Sequence, residues 1–197
     1  MITTEQIKEL RDQTGISVMQ CKKALEEAGG DKDKAIIILN KKSSQIAEKK
    51  SDRTLGAGAV QSYIHAGGSV GALVELLCET DFVAKNEEFK TLAYNLAMQV
   101  AAVNPVFLKK ENISQEDLDK AKDVFAKEVA GAKKDQTDEL KNKILQGKID
   151  SYFKEKILLE QSYIKNPDQS INNLIQSAIQ KFGEKIEVGR FVRFSIK

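Results

Sequence analysis

Tryptophan is absent from this chain of 197 residues, proline and cysteine occur twice each, histidine occurs once, and aromatic residues make up only 6%. Each scarcity removes a class of chemistry. Cys21 and Cys78 lie far apart in apolar contexts and lack C-x-x-C spacing, so they offer neither a zinc site nor a redox pair and read as reduced core thiols. His65, just before a Gly-Gly pair, has no G-x-S-x-G or Cys-His signature around it from which a triad could be built. It reads as a surface histidine at a strand end. Gly56-Ala57-Gly58 lacks the third glycine of a dinucleotide fingerprint and precedes a strand, and no G-x-x-x-x-G-K-[ST] occurs. No stretch approaches the roughly 20 apolar residues of a membrane span. The opening MITTEQIKELRDQTG lacks the apolar centre of a signal peptide and the Arg-rich, acid-poor bias of a transit peptide. These absences lead us to expect a cytoplasmic protein with no membrane association, no metal and no cofactor.

Charge of one sign is missing too. Lys plus Arg (31) nearly cancels Asp plus Glu (29), leaving a net charge of +2. The pairs Lys22-Lys23, Lys41-Lys42, Lys49-Lys50 and Lys133-Lys134 are scattered, alternate with acids and lack interleaved aromatics, so no direct nucleic-acid contact is expected. Carboxylates alternate with lysines as on solvated helix faces, and no two are marked out for acid-base work. The chain is not expected to be an enzyme.

What is present is organisation. Residues 1–40 read as a three-helix module. Thr3 and Gln6 form a capping box ahead of Ile7 and Leu10. Ser17 and Gln20 open a second helix with Cys21, Ala24, Leu25 and Ala28 inward, and Asp31 caps a third carrying Ala35, Ile36, Ile38 and Leu39. Residues 41–56 lose apolar periodicity, as a linker or a solvated helical extension would. Residues 57–197 read as an α+β core with a helical middle segment. VQSYIHA and SVGALVELLC alternate around Gly67-Gly68, the signal of a two-residue type I′ hairpin, with Val70, Ala72, Val74, Leu76 and Cys78 inward. A helix capped by Asn86 carries Phe89, Leu92, Ala93, Leu96, Ala97, Val100 and Ala101 at steps of three and four. The tail alternates again, placing Ile186, Val188, Val192, Phe194 and Ile196 on one face of a strand that pairs with the hairpin. The fold expected is an all-α module followed by a small antiparallel sheet packed with helices.

One stretch resists the pattern. In TDFVAKNEEF, residues 80–89, Asp81 and Phe82 stand where a strand is about to become a helix. Either Phe82 folds back as the first core residue with Asp81 as cap, or the pair protrudes as an anchor for a pocket on another protein. Spacing leaves both open.

Three long segments resemble the bacterial elongation factor Ts family over essentially the whole chain: LRDQTGISVMQCKKALEEAGGDKDKAI, GAVQSYIHAGGSVGALVELLCETDFVAKNEEF, and GKIDSYFKEKILLEQSYIK followed by KFGEKIEVGRFVRF. The resemblance implies a ubiquitin-associated-like N-terminal module and a guanine-nucleotide exchange factor for elongation factor Tu, binding that partner both GDP-bound and nucleotide-free. It implies that Thr80, Asp81, Phe82 and Val83 enter the partner's nucleotide domain and displace its Mg²⁺. It also implies that Arg11, Val18 and Met19 dock the N-terminal module on the same domain. Gln20 stands where the family commonly has an acid, and Ser162 where proline is usual. The chain resembles the short form, lacking the second core half of longer members, so a homodimer is one expected route to an equivalent contact. The competing reading is a non-catalytic adaptor that binds another protein through residues 1–40 alone. A nucleic-acid-binding translation protein would show binding that falls steeply with salt, which the near-zero net charge disfavours.

Overall fold

The computed structural model describes residues 2–132 and 137–196; the Lys133-Lys134 pair lies outside them. Helices α1 (Thr4–Thr14), α2 (Val18–Glu27) and α3 (Lys32–Lys49) begin at Thr3, Ser17 and Asp31, each of whose side chains accepts an amide hydrogen bond three residues on. Thr3 and Gln6 complete a capping box, and Gly15 closes α1 in the left-handed conformation that a residue without Cβ adopts at no steric cost. Leu10, Ile16, Cys21, Ala24, Leu25, Ala35 and Leu39 form a buried cluster of their own.

Helix α3 does not stop near residue 40. It runs to Lys49, so the stretch read as linker or helical extension is helical over 41–49. Residues 43, 46 and 47 are spaced for one face, and Ile46 and Ala47 pack against the main core. Ser43 is fully buried and donates to Gln180, Ser44 donates to Gln176 at 2.7 Å, and the Lys50 ammonium reaches the Gly183 carbonyl at 2.6 Å. All three partners lie in α8 (Ile171–Phe182) or its cap. The connector is a packed helical spine rather than a flexible tether.

The main sheet has the antiparallel order β1 (Ala57–Ile64), β2 (Val70–Cys78), β5 (Ile186–Ser195). Its inner face carries Ala72, Val74, Leu76 and Cys78 against α5 (Glu87–Val103) and α8. Five residues, 65–69, rather than a two-residue turn, join β1 to β2. His65 donates its amide to Val70, and the Gly68 amide closes a turn on the His65 carbonyl with Ala66 and Gly67 at its centre. A type I′ turn needs positive φ at both central residues. Ala66 carries a Cβ and keeps φ negative, so the left-handed residues fall one position later, at Gly67 and Gly68.

The tail strand departs from its even alternation. A bulge beside Gly189 lets Glu75 pair with Arg190 while Leu76 pairs with Val188. One extra residue reverses the parity of everything beyond it. Ile186 and Val188 stay inward, but Phe191 and Arg193 take the inner side next, and Val192 and Phe194 turn outward, with Ile196 84% exposed beyond them.

Helices α6 (Gln115–Ala132) and α7 (Asp138–Lys156) form a hairpin with a third cluster built on Ala121, Ile149, Phe153 and Ile157. Leu140, Ile144 and Phe153 share the single helix α7. A short hairpin of β3 (Ser162–Tyr163) and β4 (Asn166–Ser170) precedes α8. It is tied to α5 by Gln99, which is fully buried. The Gln99 amide nitrogen donates to Gln161 and to the Ser162 carbonyl, and its oxygen accepts from the Ile164 amide. A buried amide with its donors and acceptor engaged fixes this junction in one arrangement. The architecture is α+β, as the alternation predicts.

Candidate partner-binding site

At the end of β2 the chain enters a helix of one turn, α4 (Asp81–Ala84), and only after Asn86 does α5 begin. Placing two short helical starts in succession solves the packing problem posed by TDFV. Val83 and Ala84 supply the core contacts of the first turn, and Phe89, fully buried, supplies those of the second. Phe82 is therefore not needed inside, and it stands 81% exposed. Asp81 is equally solvated, is not the cap, and pairs with Lys85 one turn on at 2.6 Å. The Lys85 ammonium holds its carboxyl below the usual aspartate range, so Asp81 is ionised at neutral pH.

The base of this turn is built from three segments. The Glu184 carboxylate, in the turn between α8 and β5, accepts the amides of Glu79 and Thr80 at 3.1 and 3.0 Å and the Thr80 hydroxyl at 2.5 Å. Glu79 reciprocates by accepting the Lys185 amide at 2.5 Å, and it holds Arg53 at 2.9 Å. Burial pushes Glu79 up, but the Lys185 amide and the Arg53 guanidinium outweigh it and leave the group below its ordinary value. Beneath them Cys78 gives its thiol hydrogen to the Thr80 carbonyl at 3.2 Å. Burial, then the nearby Glu184 charge, raises that thiol and keeps it protonated.

Of the residues singled out from the sequence, Thr80, Asp81 and Phe82 share one exposed corner, whereas Val83 is 4% exposed and anchors the corner from within. Arg11, Val18 and Met19 are all exposed, Arg11 in the last turn of α1 and the other two opening α2. Met19, which spacing alone could equally place in the core, is 65% exposed because Ile16 and Cys21 on either side fill the interior. Glu79, Glu184 and Arg53 escaped sequence reading. A glutamate next to a helix-ending glycine is ordinary in any loop, and only the fold brings residues 53, 79 and 184 together. The His65 ring shares a hydrogen bond with the Tyr63 hydroxyl at 3.1 Å. Among the described residues, no helix is long and apolar enough to cross a membrane.

Comparison with known proteins identifies the family. A family model described as Elongation factor TS matches residues 37–197. An elongation factor Ts of Thermodesulfovibrio yellowstonii is 47% identical over 195 residues, covering 99% of this chain and 96% of that protein. Those of Carboxydothermus hydrogenoformans and Thermotoga petrophila are each 45% identical, covering 100% and 99% of this chain and 89% and 96% of theirs. The chain belongs to the elongation factor Ts family.

Proposed function

We infer that the chain is the guanine-nucleotide exchange factor for elongation factor Tu, acting in the cytoplasm by binding and without bond chemistry of its own. The observation that carries the reading is an aromatic side chain held 81% exposed on a corner whose neighbours fill the core. Such a ring gains most when an apolar pocket on another protein receives it. In the family's manner, Phe82 enters a pocket between partner helices, and the Asp81 carboxylate disturbs contacts supporting the partner's Mg²⁺. Thr80 and Val83 act from below. Arg11, Val18 and Met19 dock the N-terminal module on the same partner domain. With residues 1–40 as docking module and 57–197 as core, the α3 spine over 41–49 keeps the two contact regions at a set separation.

The thermodynamics is linkage. A chain that binds the nucleotide-free partner more tightly than the GDP-bound one must weaken GDP by the same factor. The test is release of a fluorescent GDP analogue from elongation factor Tu with catalytic amounts of the chain. The release rate is expected to rise in proportion to added chain; an unchanged rate would return the adaptor reading to the front.

A specific observation also favours the homodimer. Across the outer face of the sheet lie Val60, Ile64, Leu73, Val192 and Phe194, each between 41% and 65% exposed. Leu73 pairs with Val192, and Ile64 and Phe194 flank Gly71. The Glu75–Arg190 ion pair, at 3.2 Å, bounds the patch at one end. An open apolar sheet face of this kind is self-complementary about a two-fold axis, and stacking two copies makes a sandwich. Light scattering is expected to give a mass near twice 21.9 kDa, and Val192→Glu is expected to return it to the monomer value. A monomer mass for the parent at all concentrations removes the dimer.

A further inference from the structure

Thr80 is well suited to cap α4, yet its side chain makes no cap hydrogen bond to that helix. Its hydroxyl goes to Glu184 instead. A four-residue helix is too short to hold itself, since the first turn fixes several residues for one hydrogen bond. The corner that displays Asp81 and Phe82 therefore takes its order from elsewhere. Two carboxylates cross between the segments: Glu184 collects two amides and a hydroxyl from the residues just after β2, and Glu79 collects the amide of Lys185 just before β5. Charge-assisted bonds of this kind are the shorter and stronger ones. Glu184 also sits one residue beyond Gly183, whose carbonyl receives Lys50 from the end of the α3 spine. The corner and the N-terminal module are thus fastened to the same end of α8.

We propose that Glu184 is a positioning residue for nucleotide exchange, holding the Thr80–Asp81–Phe82 corner in the orientation that the partner receives. The proposal rests on the exchange reading above. Glu184 touches neither nucleotide nor metal; it acts through Thr80. Ordering the corner in advance removes an ordering cost from the step at which Phe82 enters its pocket. Loss of the clamp is therefore expected to lower the rate of the committed complex more than its formation.

The experiment compares the parent chain with E184A and E184Q, each full length, in GDP-analogue release at increasing factor concentration. Amide deuterium uptake is followed on the same samples. For E184A, the maximal release rate is expected to fall about tenfold, as small misplacements of a contact group do, while the half-saturating concentration stays within about threefold. Uptake over residues 79–85 should quicken, with uptake over 115–132 unchanged. E184Q keeps an oxygen that accepts from the amides, and most of the rate should return; if E184A fails to fold, Thr80→Val, which removes the hydroxyl held by Glu184, is expected to quicken the same uptake, and unchanged uptake in it overturns the role. Unchanged uptake over 79–85, or a loss confined to the half-saturating concentration, overturns the role. The two kinds of failure are distinguishable. A parent chain that leaves release unchanged overturns the exchange reading and this role with it, whereas an active parent with an equally active E184A overturns the role alone.

Discussion

Alanine at Phe82 is expected to slow the GDP release that the chain stimulates in its partner by about a hundredfold, while the melting temperature of the free chain stays within about 2 °C of the parent. The magnitude is that of an aromatic hot spot, about 2–4 kcal/mol, of which each 1.4 kcal/mol is tenfold. The insensitivity of the fold follows from exposure. Phe82 is 81% exposed and belongs to no buried cluster, and surface substitutions of that kind change stability by about 0.5 kcal/mol or less. Stopped-flow release and a thermal scan on the same preparation check both halves. A variant that loses stability along with activity would mean that the ring packs on its own chain.

Seven residues on, the same substitution should do the reverse. Phe89 is fully buried in the main cluster and meets Phe182 of α8 edge to face, ring centroids 6.1 Å apart at 81°. Phe89→Ala removes a large apolar side chain and leaves a cavity, at a cost of about 3–5 kcal/mol. In a chain of this size that lowers the melting temperature by roughly 10 °C or more. Release activity measured well below the transition should survive far better than in Phe82→Ala, because α4 is anchored separately by Val83, Ala84 and Glu184. Denaturant titration gives the stability loss directly. A cost below about 1 kcal/mol would show that the neighbouring side chains close the space.

The pair also marks how far the sequence could be read. Phe89 was legible because its successors repeat at three and four, a period that only a helix with one buried face produces. Phe82 was not, since a Phe at a strand-to-helix joint has no period to belong to; the answer depends on whether Val83 and Ala84 alone can close the core beneath it. The same division runs through the fold. Caps at Thr3, Ser17 and Asp31 are local chemistry and stand where the sequence puts them. The bulge beside Gly189 is not local. It is set by pairing with Glu75, far away in the chain, and it turns Val192 and Phe194 from expected core residues into exposed ones. Gln99 looks like a polar interruption of an apolar helix, and nothing nearby announces that residues 161–164 will surround it. The Glu79–Glu184 exchange is hidden for the same reason: each glutamate is unremarkable until the other end of the sheet arrives.

Strand β2 sits in the middle of the sheet, and its two neighbours are made at very different times. β1 precedes it by a short loop, but Val70 pairs with Ser195 and Cys78 with Ile186. During synthesis the N-terminal helices can assemble as soon as they emerge, since their cluster draws only on residues up to Leu39. The corner carrying Phe82 must wait, because both Glu184 and the strand that completes its floor come last. A chain cut short before residue 184 would present a finished N-terminal module and an unfinished corner. Competence for exchange, on this view, is conferred by the final stretch of translation.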